Sequence, residues 1–469
     1  MSTRIAIFLG LTWVICLNVV PLCTWGDSYA QAKSIPTDTP NASAPSLAEN
    51  HSGDSARRYI TPERALELAL QHNPELATFA GTIEARTHEI HQSARLPNPQ
   101  LELELENFGG SGEFRGTSNA EASVRLQQRV ELGGKRQRRV NLARSALKLE
   151  ETRTRAYTSE LRALVHTRAI TLALAQERLQ LALKQEHLSH KFLSMVRERI
   201  DTGKAADIEQ IAFKIRLSEA QLKTQEAHTE VKRAQYALAA LWGEPSPTFD
   251  AVALDLKDLP ARIEIEDLYA SLERTPATDL ARNRTKQTLE AVRLERAHRI
   301  PDLNLGVGVK EDRGSGEHAL IAGIGVEIPI FDRNQDGVAA ARARHRQTEA
   351  ALHAVMIEQR HQLREIWHAL ESAREKEHKL RTEILPAAQE HFEAVTYAYQ
   401  AGKYTYQRVL DAQQNLFEMR RRHIDARGDI QRKYVELQRI CADPDASNTG
   451  INHEPTPELA SVADDGDRQ

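Results

Sequence analysis

The second half of this 469-residue chain repeats the first in kind and order, and that duplication limits the possible folds more than any other feature. Asn73-Pro74, a helical stretch and Pro99-Gln100-Leu101-Glu102-Leu103 are matched by Thr275-Pro276, a helical stretch and Pro301-Asp302-Leu303-Asn304-Leu305 at one constant offset. Further on, Val130-Glu131-Leu132-Gly133-Gly134-Lys135 stands opposite Ile328-Pro329-Ile330-Phe331-Asp332-Arg333, and Thr202-Gly203-Lys204 opposite Ala401-Gly402-Lys403. A period of roughly two hundred residues is far longer than a solenoid repeat, so the chain reads as one duplicated unit. Each unit holds an amphipathic helix, two alternating strands, a very long helix, a Gly turn and a second long helix.

Residues 1–30 read as an export signal: Arg4, an apolar run from Ile5 to Leu22, then Ser28-Tyr29-Ala30 or Ala30-Gln31-Ala32 as small-residue cleavage sites. An uncleaved anchor is the rival reading, because the run is long enough to span a bilayer. Cys23 follows Val20-Pro21-Leu22, which lacks the small residue a lipidation site needs. With Cys16 and Cys23 removed, Cys441 is left alone and no intrachain disulfide can form. The formal charge of -4 does not favour nucleic acid. Past the signal no apolar run approaches the eighteen or so residues of a membrane helix, so entry into a membrane would have to use strands. Residues 31–58 and 442–469 lack apolar periodicity and read as disordered tails, the second acidic; 248–262 reads as a linker between repeats at 59–247 and 263–441.

Strict alternation marks the strands. In the pair within 101–132, Leu101, Leu103 and Leu105 interleave with Glu102, Glu104 and Glu106, and Ala122, Val124, Leu126 and Val130 with Ser123, Arg125, Gln127 and Arg129. In 303–330, Leu303, Leu305, Val307 and Val309 interleave with Asn304, Gly306, Gly308 and Lys310, followed by Leu320, Ala322, Ile324 and Val326. Period two places the two sets on opposite faces. Strands of about nine to eleven residues would cross a hydrocarbon core when tilted. A small soluble sheet packed against helices gives the same pattern. Four strands cannot close a barrel and open edges are not tolerated in lipid, so several chains would have to contribute; three would give twelve strands.

The hairpins at 134–242 and 337–440 are dense in good helix formers. Their long arms should measure roughly 100 Å, the second kinked at Pro386. Apolar residues such as Leu149, Ala163, Leu172 and Leu174 look too sparse for a buried core and fit a narrow coiled-coil seam. The expected fold is therefore mainly α with a small β part: long antiparallel helical hairpins below four strands per chain.

This order of parts resembles the TolC-like outer-membrane efflux proteins. The stretches Leu96-Pro97-Asn98-Pro99-Gln100-Leu101-Glu102-Leu103-Glu104-Leu105-Glu106-Asn107-Phe108-Gly109-Gly110 and Val130-Glu131-Leu132-Gly133-Gly134-Lys135-Arg136 are similar to the branch serving cobalt-zinc-cadmium resistance pumps. The resemblance implies a homotrimer with a twelve-stranded barrel in the outer membrane and a helical barrel crossing the periplasm, joined to a periplasmic adaptor and an inner-membrane proton-driven resistance-nodulation-division pump. It implies a channel, with no catalytic residue, cofactor or resident metal. The adaptor would meet the tip at Arg199, Gly203, Tyr399 and Gly402. The family often carries two carboxylates at the pore entrance; Asp411 matches the second, Arg408 replaces the first, and Asp207 and Glu209 could supply the charge from the other repeat. Glu102, Glu104, Arg125 and Arg129 would line the barrel lumen as generic polar residues.

The pairs His88 with His91 and His187 with His190 have metal-ligand spacing on a helix, which polar helical surfaces also produce by chance. Three function classes stay open: a metal-efflux channel, the same architecture exporting drugs or secreted proteins, and a periplasmic coiled-coil scaffold.

Overall fold

Residues 58–441 are described in the computed structural model; the export signal, Cys23, the spacer to residue 57 and the acidic tail from 442 lie outside them. The first repeat contains β1 (Tyr59–Ile60), α1 (Pro62–His72), α2 (Pro74–Ser93), β2 (Gln100–Glu106), β3 (Glu121–Val130), α3 (Lys135–Asp201) and α4 (Asp207–Ala239). After β4 (Ala251–Val252) and α5 (Ile265–Tyr269) the second runs through α6 (Pro276–His298), β5 (Leu303–Asp312), β6 (Glu317–Val326), α7 (Gln335–Lys379), α8 (Leu385–Gln400) and α9 (Tyr406–Ile440).

The residues that betray the duplication are helix caps. Asn73 accepts from the Glu75 and Leu76 amides at the start of α2, and Thr275 accepts from the Thr278 amide at the start of α6. Each is followed by proline at the first helical position, where no amide is lost. The long helices begin on residues in the left-handed region, Gly134 before α3 and Asn334 before α7.

The return arms are shorter than a simple hairpin requires. α3 has 67 residues, about 100 Å, whereas α4 has 33, about 50 Å. α4 covers the lower half of α3 and α2 the upper half; α9 and α6 share α7 and α8 in the same way. Each return arm is therefore two helices with a joint between them. In the first repeat the joint is closed by the Asn73 side-chain amide donating to the Leu241 carbonyl at 2.8 Å. In the second, Leu272 packs in one cluster with Ile440 and Thr275 donates to Gln359, beside a cleft of about 700 Å³ lined by Phe79, Tyr157 and Pro276.

Several other expectations change. The interruption near Pro386 is a π-turn at Leu380–Ile384, which ends just before the proline and absorbs its missing amide. The stretch 248–262 between the repeats is packed: β4 pairs in parallel with β1, and Phe249, Val252 and Leu256 are buried. Strand β2 has seven residues, because Asn107 and Gly109 adopt positive φ and turn the chain out of the ladder. Apolar residues are not too sparse for cores. Leu172 and Leu174 are buried with Leu161, Val165 and Leu238, and further clusters follow around Leu363 and Leu370 and around Phe192 and Phe213.

α3 packs tightly on α9 at Gly428, where a Cβ would stand 2.5 Å from Leu174 Cδ1. Beside this crossing, Arg178 bonds Asp425 at 2.6 Å and the buried Arg427 pairs with Glu177. Gly428→Ala should cost about 1–3 kcal/mol by overpacking, read as a lower unfolding temperature in detergent. The same change at Gly81, which has open space around it in α2, should be neutral or stabilising by up to about 1 kcal/mol.

Candidate functional site

Two regions carry the functional groups: the four-stranded sheet and the opposite ends of the helices. The sheet order is β2-β3-β5-β6, antiparallel throughout. Its central pairing joins the repeats, Glu121 opposite Asp312 through Val130 opposite Leu303. The register stacks Leu103, Val124, Val309 and Leu320 in one row and Leu101, Leu126, Val307 and Ala322 in the next. These rows form one apolar face, and most of its large side chains are exposed.

The opposite face is charged on the first-repeat strands and glycine-rich on the others. Arg125 reaches Glu104 at 3.3 Å, Gln127 donates to Glu102 and Lys310 pairs with Glu121. All three contacts run diagonally between strands, two residues off the direct partner. Arg125 lies across Gly308, where a Cβ would meet its Cγ at 2.8 Å. Glu102, Glu104, Arg125 and Arg129 thus share one face, opposite the leucines. Arg129 stands opposite Asn304 and is exposed.

At the other end, both helix turns close in the same way. Gly203 and Gly402 take positive φ after α3 and α8. The Lys204 amide donates to the Arg199 carbonyl at 2.7 Å, and that of Lys403 to Ala398 at 2.9 Å. This left-handed helix end is the reason for glycine at both positions.

The two turns are tied together by a group that spacing alone does not announce. The Arg199 guanidinium donates to the Gln400 carbonyl at 3.0 Å and lies 4.8 Å from the centre of the Tyr399 ring. The Tyr399 hydroxyl donates to Glu209 at 2.7 Å. Burial, and then the bond to Glu209, push the Tyr399 phenol well above its ordinary pKa. One expectation therefore needs correction: Tyr399 is only 2% exposed, so its side chain is turned inward rather than presented to a partner. Glu209 accepts from its hydroxyl and keeps its own negative charge.

Asp207 and Asp411 are exposed, and Arg408 stacks 5.0 Å from the Tyr404 ring centre. His88 and His91 stand edge to face with ring centroids 6.1 Å apart, and no third ligand joins them among the described residues.

One further feature escapes a motif reading, although its spacing signals it. On α4, Ile208, Ile211, Ile215 and Leu222 are each more than half exposed and, with Ser218, follow a 3,4,3,4 spacing. That is a coiled-coil seam without a partner among the described residues.

No helix among the described residues is long and apolar enough to cross a membrane. A sheet with one apolar and one charged face, standing on helices about three times as long as a bilayer is thick, defines the protomer of an outer-membrane channel that extends into the periplasm. The chain belongs to the outer membrane efflux protein family, whose profile matches residues 65–244 and 268–442. It is 29% identical over 381 residues to the cobalt-zinc-cadmium resistance protein CzcC of Cupriavidus metallidurans, covering 81% of this chain and 90% of that one. To the nickel-cobalt-cadmium resistance protein NccC of Alcaligenes xylosoxydans xylosoxydans it is 26% identical over 293 residues, covering 62% and 66%. The fold is shared with CusC, with a TM-score of 0.66, 18% identity and coverage of 84% and 95%. The outer membrane protein VceC of Vibrio cholerae gives 0.67, 18%, and 81% and 95%.

Tyr399→Phe removes the donor to Glu209 and should weaken the link between the turns by about 0.5–1.5 kcal/mol. The expected readout is faster amide hydrogen exchange at 199–210 and 396–406, with exchange in the upper helices unchanged.

Proposed function

We propose that three copies of this chain form a ring that serves as the passive exit duct of an efflux assembly. The duct would work with a periplasmic adaptor and an inner-membrane resistance-nodulation-division pump, and its cargo is divalent heavy-metal cations. The observation that carries the ring is that sheet and helices run out at matching ends. Among the described residues β2 and β6 each pair on one side only, and the lower helices follow the order α4-α3-α9-α8. Unpaired strand edges cannot face lipid, so β2 must meet β6 of another copy. α4 must likewise meet α8. Such head-to-tail contacts close into a ring when the rotation allows.

The helix surfaces support this pairing. α8 exposes Ala387, His391 and Ala394 on one side, with Ile384 just ahead of it, spanning the same number of turns from the tip as the isoleucine row of α4. The Arg199 bond to Gln400 holds both rows at one height, so that in antiparallel register Ser218 faces Ala387. Asp207 and Asp411 would place carboxylates around the pore entrance, where like charges concentrate cations. Arg199, Gly203 and Gly402 remain the tip positions for adaptor contact. The metal cargo rests on the resistance proteins to which the chain is similar.

In native membranes, Ser218→Cys with Ala387→Cys should give covalent trimers on oxidation, and Ser218→Cys with Ala398→Cys should not; monomers throughout would refute the ring. Deleting the gene should lower tolerance of zinc, cobalt or cadmium and leave detergent tolerance unchanged. Asp207→Asn with Asp411→Asn should restore that tolerance only partly; a phenotype confined to detergents would refute the metal cargo.

A further inference from the structure

The chain passes between the long helices and the four-stranded sheet four times, and each passage carries the same pair of features. Leaving α2, Arg95 precedes Leu96; entering α3, Leu132 precedes Arg136. Leaving α6, Arg299 precedes Ile300; entering α7, Phe331 precedes Arg333. The apolar member is exposed every time, up to 92% for Phe331. The arginine always lies on the helix side.

None of the four arginines pairs with a carboxylate among the described residues, because the neighbouring acids are taken. Asp302 binds Lys135, Glu131 binds Arg139, and Glu295 accepts from Asn334. Arg136 and Arg333 each spend only Nε, on the carbonyls of Ala94 and Pro329, which leaves the outer guanidinium nitrogens free. Glu327, Asp332 and Asp336 are the acids left exposed nearby.

We propose that these four arginines form a collar that binds the phosphate groups of anionic phospholipids in the periplasmic leaflet of the outer membrane. The inference rests on the strands lying in that membrane. The apolar members then sit at the edge of the hydrocarbon and the guanidinium groups fall in the headgroup layer, within about one helical turn. A forked guanidinium suits a phosphate diester, and its apolar stem can lie along the acyl boundary. The repetition of the pattern at both ends of both strand pairs favours a continuous surface over a pocket for a soluble anion.

The full-length protein is reconstituted in vesicles of phosphatidylcholine mixed with phosphatidylglycerol, and the lipids retained on mild detergent extraction are quantified. Phosphatidylglycerol should be enriched on the order of tenfold over the bulk mixture, and the enrichment should fall at high salt. R95Q/R136Q/R299Q/R333Q should return it to the bulk ratio, while R144Q/R346Q, farther down the helices, should keep it. If the glutamine variant fails to fold, the quadruple lysine variant, which retains the charge, should keep most of it. Bulk-ratio lipid on the wild-type chain, or displacement of phosphatidylglycerol by soluble glycerol phosphate, would overturn the collar. A chain that floats with neither vesicle composition would overturn the membrane reading itself, and the collar with it.

Discussion

The ten-residue antiparallel pairing of β3 with β5 is the contact on which the rest of the structure depends. It converts two similar units into one sheet with continuous faces and fixes how the long helices are rooted. A slip of one residue would turn Val124 and Leu126 to the charged side and bring Arg125 among the leucines. The diagonal contact of Lys310 with Glu121 opposes that slip, and that of Arg125 with Glu104 holds β2 to β3 in register. Gly308 completes the arrangement by leaving room for Arg125 to lie flat.

Duplication did not produce identical halves, and the differences fall on functional surfaces. The first repeat brings charge to the polar face of the sheet, and the second brings Gly306, Gly308, Gly323 and Gly325. At the helix ends the first repeat contributes Glu209 and Arg199, and the second contributes the tyrosine between them. A link between unlike halves can be broken without unfolding either one.

Much of this is legible in the sequence because it follows from period and punctuation. Alternation assigns the faces of all four strands, and Gly203 and Gly402 mark both turns. The proline-led caps disclose the duplication in the order of residues alone. What stays hidden depends on distance across the chain. Arg199, Tyr399 and Glu209 come together from positions about two hundred residues apart, and single-sequence patterns carry no register between such segments. The jointed return arms are hidden for another reason: α2 and α4 both look like ordinary amphipathic helices, and only packing shows that they divide one neighbour between them. The α4 isoleucine row is plain in the spacing, but an unpartnered seam has meaning only once the other sides of the helix are occupied.

The jointed arms also bear on mechanics. α3 runs unbroken from sheet to tip, like a rib, while its neighbours are staves cut at mid-height. The cut in the first repeat is bridged by Asn73 onto Leu241, and the cut in the second by the packing of Leu272 with Ile440 and the bond of Thr275 to Gln359. Because α3 packs against α2, α4, α6 and α9, one unbroken helix splints both joints.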